Sequence, residues 1–349
     1  EGDPPRALER SAHTRPLEDE PMPVGFSRGV EACAECHQEE AASWRRSRHA
    51  VAFTNPIFER SWLHWPNGWC LDCHLPSREA QYERLGTKAI AGTLHTVPEA
   101  SSTGLWKEGV TCSVCHVREG AIVTAAPPTA EALRAHAMRY DPELAEPSFC
   151  ASCHSFSFQN HTPEWPFSYG NTPAQDTVAE WEGSSAAVKG KTCVTCHMGS
   201  SGHAFPGAHS PDMVRRALRV EVVQAASGRV RARVWAPGAP HRIPTGDPFR
   251  RMELLLCATP ACDVVHDSLT MRRSFSRDDT TWVETGDTTL PPETPAKPSE
   301  RVFERDLSVT VGGYVLRYRY GDVRFESSLL PEDVGFVVTS GKVDRGNAQ

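Results

Sequence analysis

The pattern Cys-x-x-Cys-His occurs five times, as Cys33/Cys36/His37, Cys70/Cys73/His74, Cys112/Cys115/His116, Cys150/Cys153/His154 and Cys193/Cys196/His197. No other feature constrains the fold so tightly. Two thiols at this spacing form thioethers with the vinyl groups of a haem, and the adjacent histidine then meets the iron as its proximal ligand. A zinc knuckle or a thioredoxin-like redox pair uses the same cysteine spacing. Neither accounts for a histidine at the very next position in all five copies. The pattern therefore predicts five covalently attached haems c, ten attachment cysteines and five proximal histidines.

Of the chain's 12 cysteines, only Cys257 and Cys262 lie outside these motifs. They bracket Ala-Thr-Pro-Ala at the end of a predicted strand, and no histidine follows Cys262. In an oxidising compartment a disulfide clamping this turn is expected, with free thiols as the alternative. Haem attachment of this kind takes place outside the cytoplasm, which predicts a periplasmic or extracellular protein whose leader has been removed ahead of Glu1. No uncharged apolar run reaches the ~20 residues of a membrane helix, so no membrane span is expected. With no cysteine near residue 1, neither is a lipid anchor. The formal net charge of -7 is made more acidic by haem propionates and argues against nucleic acid as a partner. The basic run Arg45-Arg46-Ser47-Arg48 reads as a solvated helix face or as partners for propionates.

The organisation follows from the same motifs. Residues 1–29 are rich in Pro, Glu and Asp without apolar period and read as an N-terminal arm, wrapped on the surface or partly disordered. Through residues 30–212 the motifs recur about every 40 residues, between stretches too short of apolar residues and too rich in Pro and Gly for a conventional core. A mainly helical and irregular domain packed around haem faces is expected, with helices over residues 39–49, Trp44 facing inward, and 177–188. Ser210-Pro211-Asp212 starts a short helix, after which alternating Val220/Val222 and Val230/Ala232/Val234 predict strands joined at Ser227-Gly228. Residues 252–257 read as a further strand. Residues 314–320 and 323–325 read as a hairpin about Gly321-Asp322, and 288–298, with four prolines, as a loop or an edge. The fold class is α+β: a pentahaem domain, then an antiparallel β-sandwich of immunoglobulin-like size over 213–349.

The sixth iron position decides between carrier and catalyst, because a second histidine leaves nowhere for substrate to bind. The 15 histidines leave ten once the motifs are subtracted, enough for five distal ligands. His49, just past the first motif, is the foremost candidate. His203 follows the last motif in a small apolar turn, His136 precedes the fourth, His95 lies between the second and third, and His161 follows the fourth. His241, in Pro240-His241-Arg-Ile-Pro-Thr-Gly246, either caps a haem or is a turn histidine bonded to backbone. His209 and His64 are weaker candidates; His13 and His266 read as surface, and Met198 as packing.

The ordered flanks of these motifs resemble a known family. They run Cys33-Ala-Glu-Cys-His37 with Trp44 and Ser47-Arg-His49-Ala50, then Gly109-Val-Thr-Cys-Ser-Val-Cys-His116. Phe149-Cys-Ala-Ser-Cys-His154 preceded by His136 follows, then Glu180-Trp181 and Ser184 leading into Gly190-Lys-Thr-Cys-Val-Thr-Cys-His-Met198. His203-Ala-Phe-Pro-Gly207 closes the set. Over residues 30–220 this is similar to the multihaem cytochromes related to cytochrome c-554, and more distantly to hydroxylamine oxidoreductase and pentahaem nitrite reductase. The resemblance implies haems stacked in alternating near-parallel and near-perpendicular pairs, with His49, His136 and His203 as distal ligands. The stretch from Pro240 to Gly246 also looks like a motif found where such haem regions are fused to a β-domain. Nitrite reductases of this kind attach their catalytic haem through Cys-x-x-Cys-Lys, whereas all five motifs here end in histidine. Hydroxylamine oxidoreductases carry more haems and a tyrosine cross-link, which cannot be placed in this sequence. The resemblance thus supports the haem architecture more than a particular activity.

An electron-transfer protein rather than an enzyme is the leading expectation, because five haems in so short a stretch must lie close together. Redox partner proteins would exchange electrons at its ends, and copies could associate through haem edges or the β-domain. The alternative is an oxidoreductase acting on a small nitrogen or sulfur compound at one five-coordinate haem. The second motif, which lacks an evident neighbouring cap, would then be the open site, with Arg78 or Arg84 holding an anion. The β-domain would serve as a docking module or as a lid over haem faces. No hydrolase, kinase or nucleotide-binding constellation is present.

Overall fold

The computed structural model describes residues 21–64, 66, 68–90, 93–96, 103–160, 169–278, 281–321 and 323–346. The described residues fall into two compact units. One comprises residues up to 153, Tyr169 and Thr192–Pro206; the other comprises 154–160, Gly170–Lys191 and 207–346. The chain thus passes between the units more than once.

The first unit consists of short helices and small ribbons. Helices Gly68–His74, Cys112–His116, Pro147–His154 and Cys193–His197 carry four of the motifs. The first motif begins in the helix Val30–Ala34 and continues it by one turn, in which the His37 amide donates to the Cys33 carbonyl at 2.9 Å. A turn of helix brings residues i, i+3 and i+4 to one side, which gathers both cysteines and the histidine of each motif. Leu71, inside the second motif, anchors a small core with Phe53, Leu75, Ala80 and Leu105. A second cluster joins Val30, Ala41, Trp44 and Ala50.

The helix expected over residues 39–49 ends at Trp44, spanning Gln38–Trp44. Its last turn tightens as the Arg46 and Ser47 amides donate to the Ser43 and Trp44 carbonyls. Ser47 Oγ then accepts from the Ala50 amide, so a serine hydroxyl competes for the backbone where the helix would continue. Trp44 is buried as expected, and its indole N–H donates to the Val110 carbonyl at 2.9 Å. The helix expected over 177–188 is broken into Thr177–Glu182 and Ser185–Val188. Ser184 caps the second piece by accepting from the Ala187 amide at 3.2 Å, a favoured use of serine at a helix start.

The second unit is dominated by eight strands: β1 (Arg219–Ala225), β2 (Arg229–Trp235), β3 (Arg251–Cys257), β4 (Val265–Met271), β5 (Glu300–Asp306), β6 (Gly313–Arg319), β7 (Gly335–Lys342) and β8 (Asp344–Gly346). They form two four-stranded sheets, ordered β4-β3-β6-β7 and β5-β2-β1-β8. All pairs are antiparallel except β8 on β1. Alternation along the strands gives each sheet one apolar row: Val222, Val230, Ala232 and Val234 in one, Met252, Leu254, Leu256, Leu269 and Leu316 in the other, all at most 2% exposed. Two such rows make a sandwich core. The β1–β2 hairpin forms about Ser227-Gly228 as expected, with Gly228 at φ +89°.

The hairpin expected about Gly321-Asp322 does not form. β6 pairs with β7, and Val323–Glu326 is a short helix. The three residues Val323-Arg324-Phe325 are too few to partner seven-residue β6. Buried Arg251 instead ties the segment down, donating to the Gly321 carbonyl at 2.8 Å and pairing with Glu326. Cys257 and Cys262 sit side by side, Cα–Cα 5.0 Å.

Candidate haem-attachment sites

Three of the motif histidines are oriented through Nδ1 by backbone carbonyls. His74 Nδ1 meets the Ala52 carbonyl at 2.9 Å, His116 Nδ1 the Val123 carbonyl at 2.9 Å and His197 Nδ1 the Pro206 carbonyl at 2.6 Å. A histidine whose Nδ1–H is donated in this way presents Nε2 to a metal in a fixed ring orientation. His154 differs, because its Nδ1 contacts a side chain, the Gln175 amide, at 3.0 Å. His37 Nδ1 lies 4.0 Å from a Glu40 carboxylate oxygen.

The attachment turns adjoin one another. Thiols lie within hydrogen-bonding reach between Cys33 and Cys112, Cys73 and Cys153, and Cys150 and Cys193. Burial pushes the Cys115 thiol up to about 11, and the nearby Cys153 adds to the rise. Motifs one and three are therefore neighbours, as are three and four, two and four, and four and five.

Two of the predicted distal histidines face motif histidines. The His37 and His136 rings have centroids 6.4 Å apart, and those of His116 and His203 are 6.1 Å apart. His136 Nδ1 is buried without a hydrogen-bond partner among the described residues. The His203 segment is fixed on the helix Gln38–Trp44 by its amide, which donates to Ser43 Oγ at 3.0 Å. His49 is packed edge-on against Phe205 at 4.6 Å, and its carbonyl accepts from the Val110 amide at 3.0 Å. Gly109 makes this approach possible. It holds φ +58°, and a Cβ there would lie 2.5 Å from the His49 oxygen. Burial lowers the pKa of His49, His116 and His203 below the usual imidazole value, favouring the neutral form that binds metal.

The remaining candidates are less closely placed. His95 lies in the strand Thr93–Thr96, with its side chain outside the described residues, and His161 and His13 lie wholly outside them. His64 is exposed at the end of the helix Pro56–His64, and His209 stacks on Tyr320 at 3.8 Å. His241 Nδ1 donates to the Arg242 carbonyl at 2.9 Å, a backbone bond that suits either of its expected roles.

The loop carrying His241 is anchored by a residue that sequence reasoning left unassigned. The Glu180 carboxylate, 3% exposed, accepts from the Arg242 amide and guanidinium, each at 3.0 Å, and from the Thr245 hydroxyl at 2.8 Å. Arg242 also pairs with Asp287 at 2.8 Å. Asp176, close by, is pushed up to about 6 by burial and by the Glu180 charge.

In the second motif, His74 stacks on Phe58 at 3.8 Å. Asp72 Oδ1 is buried without a partner among the described residues, and burial pushes its carboxyl up to about 7 despite Arg78. Arg84, one of the two expected anion holders, lies over the Trp106 ring at 4.9 Å.

No protein-family model matches the chain, and no curated protein matches it. Among solved structures, a penta-heme cytochrome c552 from Thermochromatium tepidum matches with a TM-score of 0.64 at 20% identity, over 90% of this chain and 99% of that one. The architecture is therefore that of a multihaem cytochrome fold combining helices with antiparallel sheets, and the 90% coverage extends the likeness into both units. Among the described residues no helix is long and apolar enough to cross a membrane.

Proposed function

We propose that the chain is a pentahaem c-type cytochrome that carries electrons between redox partner proteins in the periplasm or outside the cell. The observation that carries this reading is the contact of attachment turns. Thiol contacts join site one to three, and sites two and five to four, and Cys115 of the third site lies near enough to Cys153 of the fourth to feel its charge, which brings the two groups together. Bound haems supply one-electron chemistry; the polypeptide supplies spacing, axial ligands and burial. The similar cytochrome's five haems and its 99% coverage by this chain support the same reading.

Cys33, Cys36, Cys70, Cys73, Cys112, Cys115, Cys150, Cys153, Cys193 and Cys196 hold the haems, and the five motif histidines ligate iron. His136 and His203 complete two of the sites. An iron held between two histidines would require ring centres about 6 Å apart, from two metal–nitrogen bonds of about 2 Å and about 1 Å from each nitrogen to its ring centre. The pairs His37/His136 and His116/His203, at 6.4 and 6.1 Å, match that span. His49 and His241 are assigned as further distal ligands, and the Cys257–Cys262 pair as a disulfide that closes the turn after β3.

The test is substitution of His136 and His203 by Ala, one at a time. Each variant should convert one low-spin ferric signal to high-spin in EPR and leave the others intact. Unchanged spectra in both would sink the ligand assignment.

A second reading draws on Asp72. A carboxyl buried beside the second attachment site, with Oδ1 unpartnered among the described residues, suits proton delivery to a small nitrogen or sulfur substrate. Carbon monoxide binding to the reduced protein, lost on disruption of the second motif, would favour it.

A further inference from the structure

We infer that Gln175 sets the reduction potential of the fourth haem through its hydrogen bond to His154; this rests on the pentahaem reading above. His74, His116 and His197 give Nδ1 to backbone carbonyls, which side-chain substitution leaves in place. At His154 the neighbour of Nδ1 is instead the Gln175 side-chain amide, whose Nε2 lies 3.0 Å away, so at this site the partner is a matter of residue choice.

The proton positions follow from ligation. A histidine bound to iron through Nε2 keeps its proton on Nδ1, so it donates, and the Gln175 amide turns its oxygen, Oε1, toward the ring. The hydroxyls beyond are polarised by the Glu180 carboxylate: Thr245 donates to Glu180 at 2.8 Å, and Thr177 donates to Thr245 at 2.8 Å. That leaves the longer 3.4 Å approach of Gln175 to Thr177 Oγ1 without a proton, and the amide is held chiefly by His154.

The mount is rigid. Gln175 is the penultimate residue of the strand Tyr169–Asp176. The buried Arg273 guanidinium donates to the Ala174 carbonyl at 2.9 Å and to the Pro173 carbonyl at 2.5 Å, and pairs with Glu284 at 2.9 Å. An acceptor fixed in this way fulfils the outer-shell role of orienting an axial imidazole and raising its basicity. A more basic imidazole stabilises ferric over ferrous iron. Reduction adds one electron to the iron and leaves the Nδ1 proton on the ring, so Gln175 changes the energy of the step and not its stoichiometry.

The experiment is a spectropotentiometric titration of the holoprotein and of Gln175→Glu and Gln175→Leu in alkaline buffer, with pyridine haemochrome counts and far-UV circular dichroism on each. Glu is isosteric and, when ionised, a stronger acceptor; Leu removes the acceptor. The expected result is five haems in every protein and one shifted component. Its reduction equilibrium moves about tenfold toward ferric in Gln175→Glu and about tenfold toward ferrous in Gln175→Leu, ~59 mV each way for one electron. Unmoved potentials, or shifts of the same sign in both variants, would overturn the assignment of Gln175 while leaving the haem reading intact. Fewer than five haems in the unsubstituted protein would overturn both. Should Gln175→Leu fail to fold, the Glu variant alone decides, since a merely structural role would not lower a single potential.

Discussion

Replacing Glu180 by Ala should destabilise the second unit measurably. The carboxylate is 3% exposed and accepts from three donors on the loop carrying His241: the Arg242 amide, its guanidinium and the Thr245 hydroxyl. Removing one partner of a buried ion pair costs ~3–5 kcal/mol. The lower end applies here, because the Arg242 side chain is 33% exposed and keeps Asp287 at 2.8 Å. At ~3 kcal/mol, and about 2–4 °C per kcal/mol for a domain of this size, the melting temperature should fall by about 6–12 °C. Glu180→Gln keeps the volume and one acceptor oxygen, so its cost should be about 1–2 kcal/mol. In an Asp287→Asn background Arg242 has lost its second anion, and the cost of Glu180→Ala should exceed the single-variant value. Far-UV circular dichroism melts of haem-loaded variants measure all three. A Glu180→Ala melt within about 2 °C of the parent would refute the view that this carboxylate anchors the loop.

Gly109→Ala should cost about 3 kcal/mol in chemical denaturation, because φ is +58° and the new Cβ would lie 2.5 Å from the His49 oxygen. A silent substitution would contradict the close approach that fixes His49. Asp176 gives a pH signature. Its folded pKa, raised by burial and then by the Glu180 charge to about 6 from 3.8, means the folded state keeps its proton longer than the unfolded chain. Its contribution to stability is therefore full below pH ~4 and is lost as pH rises through ~6. Asp176→Asn should remove that part of the slope of melting temperature against pH, and an unchanged slope would contradict it. Reducing the Cys257–Cys262 pair, or replacing Cys262 by Ser, should cost about 2 kcal/mol for so short a loop; equal urea stability with and without dithiothreitol would argue for free thiols.

The attachment sites were legible because thioether chemistry fixes their spacing within a single helical turn. The sandwich was legible in part, since the alternation of Val230, Ala232 and Val234 with arginines is a period that only a half-buried strand satisfies. Helix ends were less so. The helix Gln38–Trp44 stops through local hydroxyl competition at Ser43 and Ser47, which composition alone does not rank. The break at Ser184 carries a signal in its serine cap, outweighed by the helix-favouring Ala186 and Ala187 just after it. The short helix Val323–Glu326 was misread because the anchor holding it, Arg251, lies about 70 residues away. Gln175, Glu180 and Arg273 escaped for the same reason. Each acts on a partner distant in sequence, and none carries a spacing that chemistry requires. His136 is a candidate ligand on sequence grounds, but its approach to His37 across about 100 residues is a product of topology alone.

The central claim is that the polypeptide holds five haems and caps their irons, so that the molecule conducts rather than catalyses. Optical and EPR spectra of the holoprotein test it most directly, recorded oxidised and then dithionite-reduced with and without carbon monoxide. The account predicts low-spin ferric signals alone and no displacement of the reduced Soret band by carbon monoxide. A high-spin ferric signal with a matching carbon monoxide band would contradict it, revealing an open iron and turning attention to the second motif and Asp72.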